Sequence, residues 1–261
     1  MVTAIISHIL AVCIGLSLGL IGGGGSVLAV PILVYVIGLS PKVAIAMSLM
    51  IVGTVSLIGA IPHWLQGNVN LKTVAIFTPP AMLGAYFGAQ LTLLPFITET
   101  LQLICFGMVM LLASILMISK GSKKFQSNRV LAPRRFNHHS TRQQHWFALP
   151  IQGLGVGIIT GFVGVGGGFL IVPALVLLRD IPIKKAIGTS LLIIFFNSAS
   201  GLIGYLSHVD LDWQLMISLT IAASLGTISG AYLSKSIEAK QLEKGFGYFV
   251  LAVAIFVLIR R

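Results

Sequence analysis

The chain has 261 residues, of which 56% are apolar and only 9% charged, whereas a soluble domain carries about 25% charged residues. That is too little polar surface to clothe a soluble particle of this size, so the composition excludes that class and calls for lipid. The net charge of +11 is gathered largely in one polar stretch holding Lys120, Lys123, Lys124, Arg129, Arg134, Arg135 and Arg142. Between apolar spans such a stretch marks a cytoplasmic loop beside anionic lipid rather than a nucleic-acid site.

Apolar segments follow one another at 2–21, 27–38, 43–62, 73–93, 98–118, 147–163, 169–178, 184–206, 214–233 and 244–259. Most approach the roughly 20 residues with which a helix crosses a bilayer. The segments at 27–38 and 169–178 are too short and each follows a glycine cluster, so they pair with the preceding segments as hairpins or broken helices. Non-helical backbone at membrane depth survives only where protein or a polar cavity surrounds it. The first segment lacks a basic leader and a small-residue cleavage site, and is expected to be a retained span rather than a signal peptide. Cys13 and Cys105 lie inside apolar runs at a spacing that fits no zinc, haem or disulfide framework, and read as small packing residues.

The two halves repeat at a constant offset of 142. Gly15, Gly19, Gly22, Gly24, Gly25 and Pro31 recur as Gly157, Gly161, Gly164, Gly166, Gly167 and Pro173. The register continues without a gap through Lys42/Lys184, Ser48/Ser190, Ser56/Ser198, Gly59/Gly201, Gly84/Gly226 and Gly88/Gly230. With five segments per half, an odd number, the second half enters from the opposite side. Loop charge agrees: with 119–146 inside, Lys72, Lys184, Lys185, Lys235 and Lys244 also fall inside, while Asp210, Asp212 and Glu99 fall outside. Lys42, Arg260 and Arg261 are the exceptions. The expected fold is therefore all-α, a polytopic transmembrane helical bundle of two inverted-topology repeats, with a first repeat at 1–118, a basic cytoplasmic loop at 119–146 and a second repeat at 147–261.

A helix that restarts after a break turns free N–H groups and the positive end of its dipole into the gap, where they can hold an anion. This nominates Gly23, Gly24, Gly25 and Ser26 in the first half and Gly166, Gly167 and Gly168 in the second. Close helix packing is the competing use of such glycines, and is the better reading for Gly15–Gly19 and Gly84–Gly88. Ser48, Thr189, Ser190 and Asn197 add hydroxyl and amide donors in the segments that follow. Single serines in membrane helices more often satisfy their own backbone. Asn197, mid-span, carries more hydrogen-bonding demand, and Ser48 and Ser190 are related by the repeat.

All six acids, Glu99, Asp180, Asp210, Asp212, Glu238 and Glu243, fall at loops or segment ends. This weighs against an acidic cation pathway and a buried carboxylate relay. His63 and His208, near segment ends, have the side chain that titrates near neutrality, although boundary solvation is the simpler role. No catalytic constellation, metal-ligand spacing or phosphate-cradling loop is present, so the chain is read as a non-enzyme with no metal and no cofactor.

The paired pattern G-x-x-x-G-x-x-G-x-G-G-x-x-x-x-x-P followed by A-x-x-x-S-L, at 15–31 with 44–49 and again at 157–173 with 186–191, resembles the sulfite exporter TauE/SafE family of membrane transporters. The second copy, with Gly188-Thr189-Ser190-Leu191, is closer to the family form; in the first, Met47 stands where a polar contact would be. The resemblance implies transport of sulfite, organosulfonates or related sulfur oxyanions. The expected protein is a multi-pass carrier in the inner or plasma membrane whose partners are a small anion and the bilayer, with no nucleic acid and with a homo-oligomer left open. An anion channel and a non-transporting assembly protein are the alternatives.

Overall fold

The computed structural model describes residues 2–92, 94, 97–127, 148–163, 167–179, 181–206, 209 and 211–259. The described residues form ten helices: α1 (Val2–Ile21), α2 (Gly24–Tyr35), α3 (Pro41–Leu65), α4 (Leu71–Leu91), α5 (Glu99–Ser127), α6 (Ala148–Val163), α7 (Gly168–Arg179), α8 (Ile183–Leu206), α9 (Trp213–Ser236) and α10 (Ala239–Ile259). The all-helical transmembrane fold expected from composition is the fold observed. Four helices are long and apolar enough to cross a bilayer: Pro41–Leu65, Thr100–Ile118, Ile183–Tyr205 and Trp213–Ser236. Large apolar side chains such as Ile9, Ile61, Phe87, Leu112, Ile203 and Leu225 are exposed on the outside, where lipid would cover them.

Helix boundaries follow the sequence repeat. α1 ends at Ile21 and α6 at Val163, α3 begins at Pro41 and α8 at Ile183, α4 begins at Leu71 and α9 at Trp213; each difference is 142. The local causes repeat as well. Asn70 caps α4 by accepting from the Thr73 N–H at 3.2 Å, and its counterpart Asp212 caps α9 by accepting from Leu215 N–H at 3.0 Å. Three elements depart most from their expected extents: α2 covers Gly24–Tyr35 rather than 27–38, α10 begins at Ala239 rather than at 244, and α5 is longer. α5 continues to Ser127, so residues 119–127 of the expected loop are helical; no proline interrupts the chain there before Pro133. The remaining loop residues 128–147, with Gly164, Gly166, His208 and Asp210, lie outside the described residues.

Packing also maps onto itself when the halves are exchanged. α1 lies along α9 as α6 lies along α4, while α3 packs on α8 and α5 on α10. The first two pairs run parallel through glycine. Gly15 and Gly19 face Ala223 and Thr227, as Gly157 and Gly161 face Ala81 and Ala85, and in all four a Cβ would fall on the facing carbonyl. These are the small-residue seams that let membrane helices approach closely. The equivalent helices α3 and α8 run antiparallel: Gly53 meets Ser198 while Gly201, three residues on, meets Leu49. α5 and α10 do the same, with Gly107 against Leu258 and Gly247 against Ile118.

Candidate functional site

The chain breaks where the glycines cluster. Gly22 has φ +78° and Gly167 has φ +85°, left-handed conformations that a side chain resists and glycine accepts. After the first break α2 returns along α1, with Gly25 pressed on the Ile14 carbonyl and Leu18, and Ala29 and Leu33 lining one small cavity with Ala11 and Ser7. α1 and α2 therefore form a hairpin whose tip is Gly22–Gly23. Its buried residues include Gly24, Gly25 and Ser26.

The two breaks meet. Gly23 and Gly168 touch backbone to backbone: a Cβ on Gly168 would stand 2.5 Å from Gly23 Cα, and one on Gly23 would overlap the Gly168 carbonyl. The same Gly168 position faces Ile194 Cδ1 at 2.8 Å, at the middle of α8. The contact thus sits at mid-span, beside the first turns of α2 and α7; in α7 the Leu170 and Ile171 N–H groups donate to Gly167 O at 3.0 Å, while the N–H groups ahead of them have no acceptor within the helix.

Side chains gather unevenly around this contact. A Cβ on Gly22 would lie 2.8 Å from Ser190 Oγ, so Ser190 borders the first break. Its hydroxyl donates to Ile187 O at 2.8 Å, as that of Ser48 donates to Ile45 O at 2.8 Å. To serve an anion either hydroxyl must rotate off its carbonyl, at a cost of about 1 kcal/mol. Ser26 likewise donates to Gly23 O at 2.7 Å. Gly167 lies against Thr160, 2.8 Å from its Cγ2, and Thr160 Oγ1 accepts from Asn197 Nδ2 at 2.9 Å. Asn197 is thereby tied to the second break through Thr160. Thr189 faces elsewhere: its Oγ1 accepts from the Asn70 N–H at 2.9 Å, holding the turn between α3 and α4 against α8.

One buried polar group at the site, Thr160, was not singled out by sequence. Thr160 was hidden because its repeat counterpart is Leu18. Ser56 and Ser198, repeat partners on α3 and α8, are fully buried and their hydroxyls have no hydrogen-bond partner among the described residues. The repeat already paired them in sequence. The groove between α3 and α8, about 240 Å³ and lined by Leu49, Gly53, Phe195 and Leu202 among others, is apolar and unsuited to an anion.

Two further residues close the hairpin ends. His63, 1% exposed, directs Nε2 at Gly19 O across 3.0 Å. Its counterpart Tyr205, 1% exposed, reaches Gly161 O at 3.5 Å. Both the residues and the carbonyls are 142 apart. Around Tyr205 the structure adds a polar cluster: Gln102 Nε2 donates to Tyr205 Oη at 3.2 Å and to Phe162 O at 2.6 Å, and the Thr92 hydroxyl stands 3.1 Å from Tyr205 Oη. Among the described residues His63 has no such side-chain partners, and its Nδ1 is buried without a hydrogen-bond partner.

Comparison with known proteins agrees with this architecture. Residues 8–257 match the family model described as sulfite exporter TauE/SafE. A probable membrane transporter protein of Xylella fastidiosa is 34% identical over 250 residues, covering 95% of this chain and 92% of the relative. The probable membrane transporter protein YdhB of Bacillus subtilis is 28% identical over 221 residues, 84% of each chain. No solved structure matches.

Proposed function

This chain belongs to the sulfite exporter TauE/SafE family of membrane transporters, and from that premise we propose that it carries a small anion, sulfite or a related sulfur oxyanion or organosulfonate, by alternating access. The observation that supports this reading most is the meeting of the two helix breaks at Gly23 and Gly168 beside mid-α8. Leading amides of α2 and α7 converge there, and each helix N-terminus favours a negative charge by about 0.3–1 kcal/mol, more where partly buried. The anion site comprises Gly23, Gly24, Gly25 and Ser26 from one hairpin and Gly166, Gly167 and Gly168 from the other. Ser190 and Ser48 contribute hydroxyls, and Asn197 acts beside Thr160. Thr189, engaged by Asn70, steadies the neighbouring turn.

The two halves are inverted repeats in this reading. Equivalent helices that touch while running antiparallel are what a two-fold axis perpendicular to them produces, and for spanning helices that axis lies in the membrane plane. The end carrying Lys72, Lys184 and Lys235 is cytoplasmic, with the 119–146 segment on the same side. A channel would need an open path at the hairpin tips. The backbone contact between Gly23 and Gly168 favours a carrier instead.

Uptake of labelled sulfite, thiosulfate, sulfate and sulfonates into proteoliposomes tests the reading. Saturable flux with counterflow is expected for at least one sulfur oxyanion, and Gly167→Leu, which forces a side chain onto Thr160 at a positive φ, is expected to abolish it while the protein still inserts. Undiminished flux in Gly167→Leu would remove the break from the mechanism.

A further inference from the structure

We propose that His63 takes up one proton with each anion, making this protein an anion–proton symporter whose coupling group sits at one hairpin tip only. The inference rests on the anion-carrier reading above and extends it to the coupling ion.

The geometry singles out this histidine. Its Nε2 faces a carbonyl, Gly19 O at 3.0 Å, and a carbonyl can only accept, so Nε2 carries a proton. Its Nδ1 is buried and without a partner among the described residues, which leaves one lone pair able to bind a proton. Gly19 lies in the last turn of α1, just before the break at Gly22. His63 therefore bears on the hairpin tip that borders Ser190. Wrapped around it are Gly188 of α8, which meets His63 Cβ, and the turn residue Asn68, whose N–H donates to His63 O at 2.9 Å.

The pseudo-equivalent position makes the assignment specific. Tyr205 makes the same contact with the same glycine carbonyl of the other repeat, yet its hydroxyl is held by Gln102 and stands beside Thr92. A phenol so engaged does not exchange protons near neutrality, whereas an imidazole is the side chain whose ordinary range lies there. One hairpin end thus holds a fixed polar clasp and the other a titratable one.

The surroundings make protonation depend on the anion. At this end of the bundle the described charged side chains on the packed elements are Lys72 at the start of α4, Lys184 and Lys185 at the start of α8, Lys235 at the end of α9 and Lys244 in α10. Tyr232 of α9 is the further titratable group, and Glu238, just beyond α9, is exposed. Lys184 Nζ donates to the backbone carbonyl of Lys235 at 3.1 Å, which ties the start of α8 to the end of α9. An imidazolium among an excess of cations is unfavourable alone and favoured once an anion sits at the break. The anion is likewise favoured by the imidazolium, the two effects being reciprocal. The step is balanced: a proton from water on the His63 side forms the Nδ1–H bond as the anion binds, and returns to water on the other side when the anion leaves.

The test uses the full chain in proteoliposomes, with sulfite and with methanesulfonate, the latter too weak a base to carry the proton itself. One-to-one symport is expected to change the equilibrium accumulation ratio about tenfold per unit of imposed pH gradient. His63→Gln, whose amide can still donate to Gly19 O, is expected to abolish that response, whatever exchange rate remains. His63→Tyr, importing its counterpart's side chain, is a second variant with the same expectation. Gradient-driven accumulation of methanesulfonate in either variant overturns the proposal. Should neither variant exchange anion, proton uptake by the unmutated protein on adding methanesulfonate in unbuffered detergent solution decides: about one proton per anion bound supports the assignment and none overturns it. Exchange by the unmutated protein without any gradient response defeats this inference alone. Absence of any anion exchange defeats it together with the transport reading.

Discussion

Replacing Gly23 by alanine adds one methyl group at the point where the two halves touch. The Cβ would overlap the Gly168 carbonyl and stand 2.5 Å from Gly168 Cα. Carbon atoms rest at about 3.5–4.0 Å, so the tips must separate by roughly an ångström or more. Both sides of the contact are backbone, and no flexible side chain can yield. Overpacking of this kind costs about 1–3 kcal/mol. The cost falls only on states in which the tips meet, because each hairpin is held independently: α1 by its seam with α9, α6 by its seam with α4. A middle value of about 2 kcal/mol reduces the population of the tip-to-tip state roughly thirtyfold relative to states with the tips apart. Sulfite counterflow in proteoliposomes is therefore expected to fall by at least tenfold, with the melting temperature in detergent lowered by only a few degrees. Gly155→Ala is the control, since a Cβ there meets nothing within 4 Å and the helix gains up to about 1 kcal/mol in propensity. Gly168→Ala should reproduce the Gly23 defect. Flux in Gly23→Ala equal to that of Gly155→Ala would refute the claim that the tip contact belongs to the transport cycle.

Other expectations follow from single contacts. Ser190→Ala removes a hydroxyl already bonded to the helix carbonyl of Ile187, so stability should change by less than about 1 kcal/mol while the apparent KM for anion rises, as read from saturation curves. Tyr205→Phe takes away the oxygen that accepts from Gln102 and stands beside Thr92, with a loss of about 1–3 kcal/mol; a melting temperature equal to that of the unmutated protein would show that cluster to be unimportant. Gly157→Leu and its counterpart Gly15→Leu drive side chains into the facing carbonyls of Ala81 and Ala223, and both should sharply reduce folded yield by size-exclusion profile, to a similar degree. An effect confined to one of them would mean that the two seams are not energetically equivalent.

The membrane class, the ten segments and the repeat were legible because each rests on summed or periodic signals: low charge density, apolar length, and an offset that holds across glycine, proline and serine alike. The breaks were legible because a run of three or four glycines stands between two apolar segments in each half. The end of α5 was not, since apolar length marks where the bilayer core stops and says nothing of a helix continuing beyond it. Within the site, glycine positions read well because glycine's role is set by backbone conformation, which sequence encodes locally. Hydroxyl roles read less well. Thr189 and Ser190 are adjacent on one helix, yet one turns to Asn70 and the other to the break, a choice made by tertiary packing. Thr160 escaped notice because nothing within α6 reveals that Asn197 of α8 donates to it.

Where the repeat fails at buried polar positions is as informative as where it holds. A carrier whose two end states are related by exchanging identical halves would hold those states at equal energy, with neither favoured at rest. Here Thr160 and Asn197 on one side face Leu18 and Val55 on the other, and Tyr205 is matched by His63. Even a conserved contact type is kept while its surroundings change: Thr92 donates to Ala89 O at 2.7 Å and its counterpart Ser234 to Ala231 O at 2.8 Å, but only Thr92 stands beside a tyrosine hydroxyl. Among the described residues the second hairpin therefore carries more side-chain bonds at its tip and its closing end than the first. A difference of about 1–3 kcal/mol between the ends shifts a two-state equilibrium by roughly 5–150-fold. Under the inverted-repeat reading, that bias holds the Tyr205 end shut until an event at the other end offsets it. Anion binding at the breaks with protonation at His63 is the event that these residues make available.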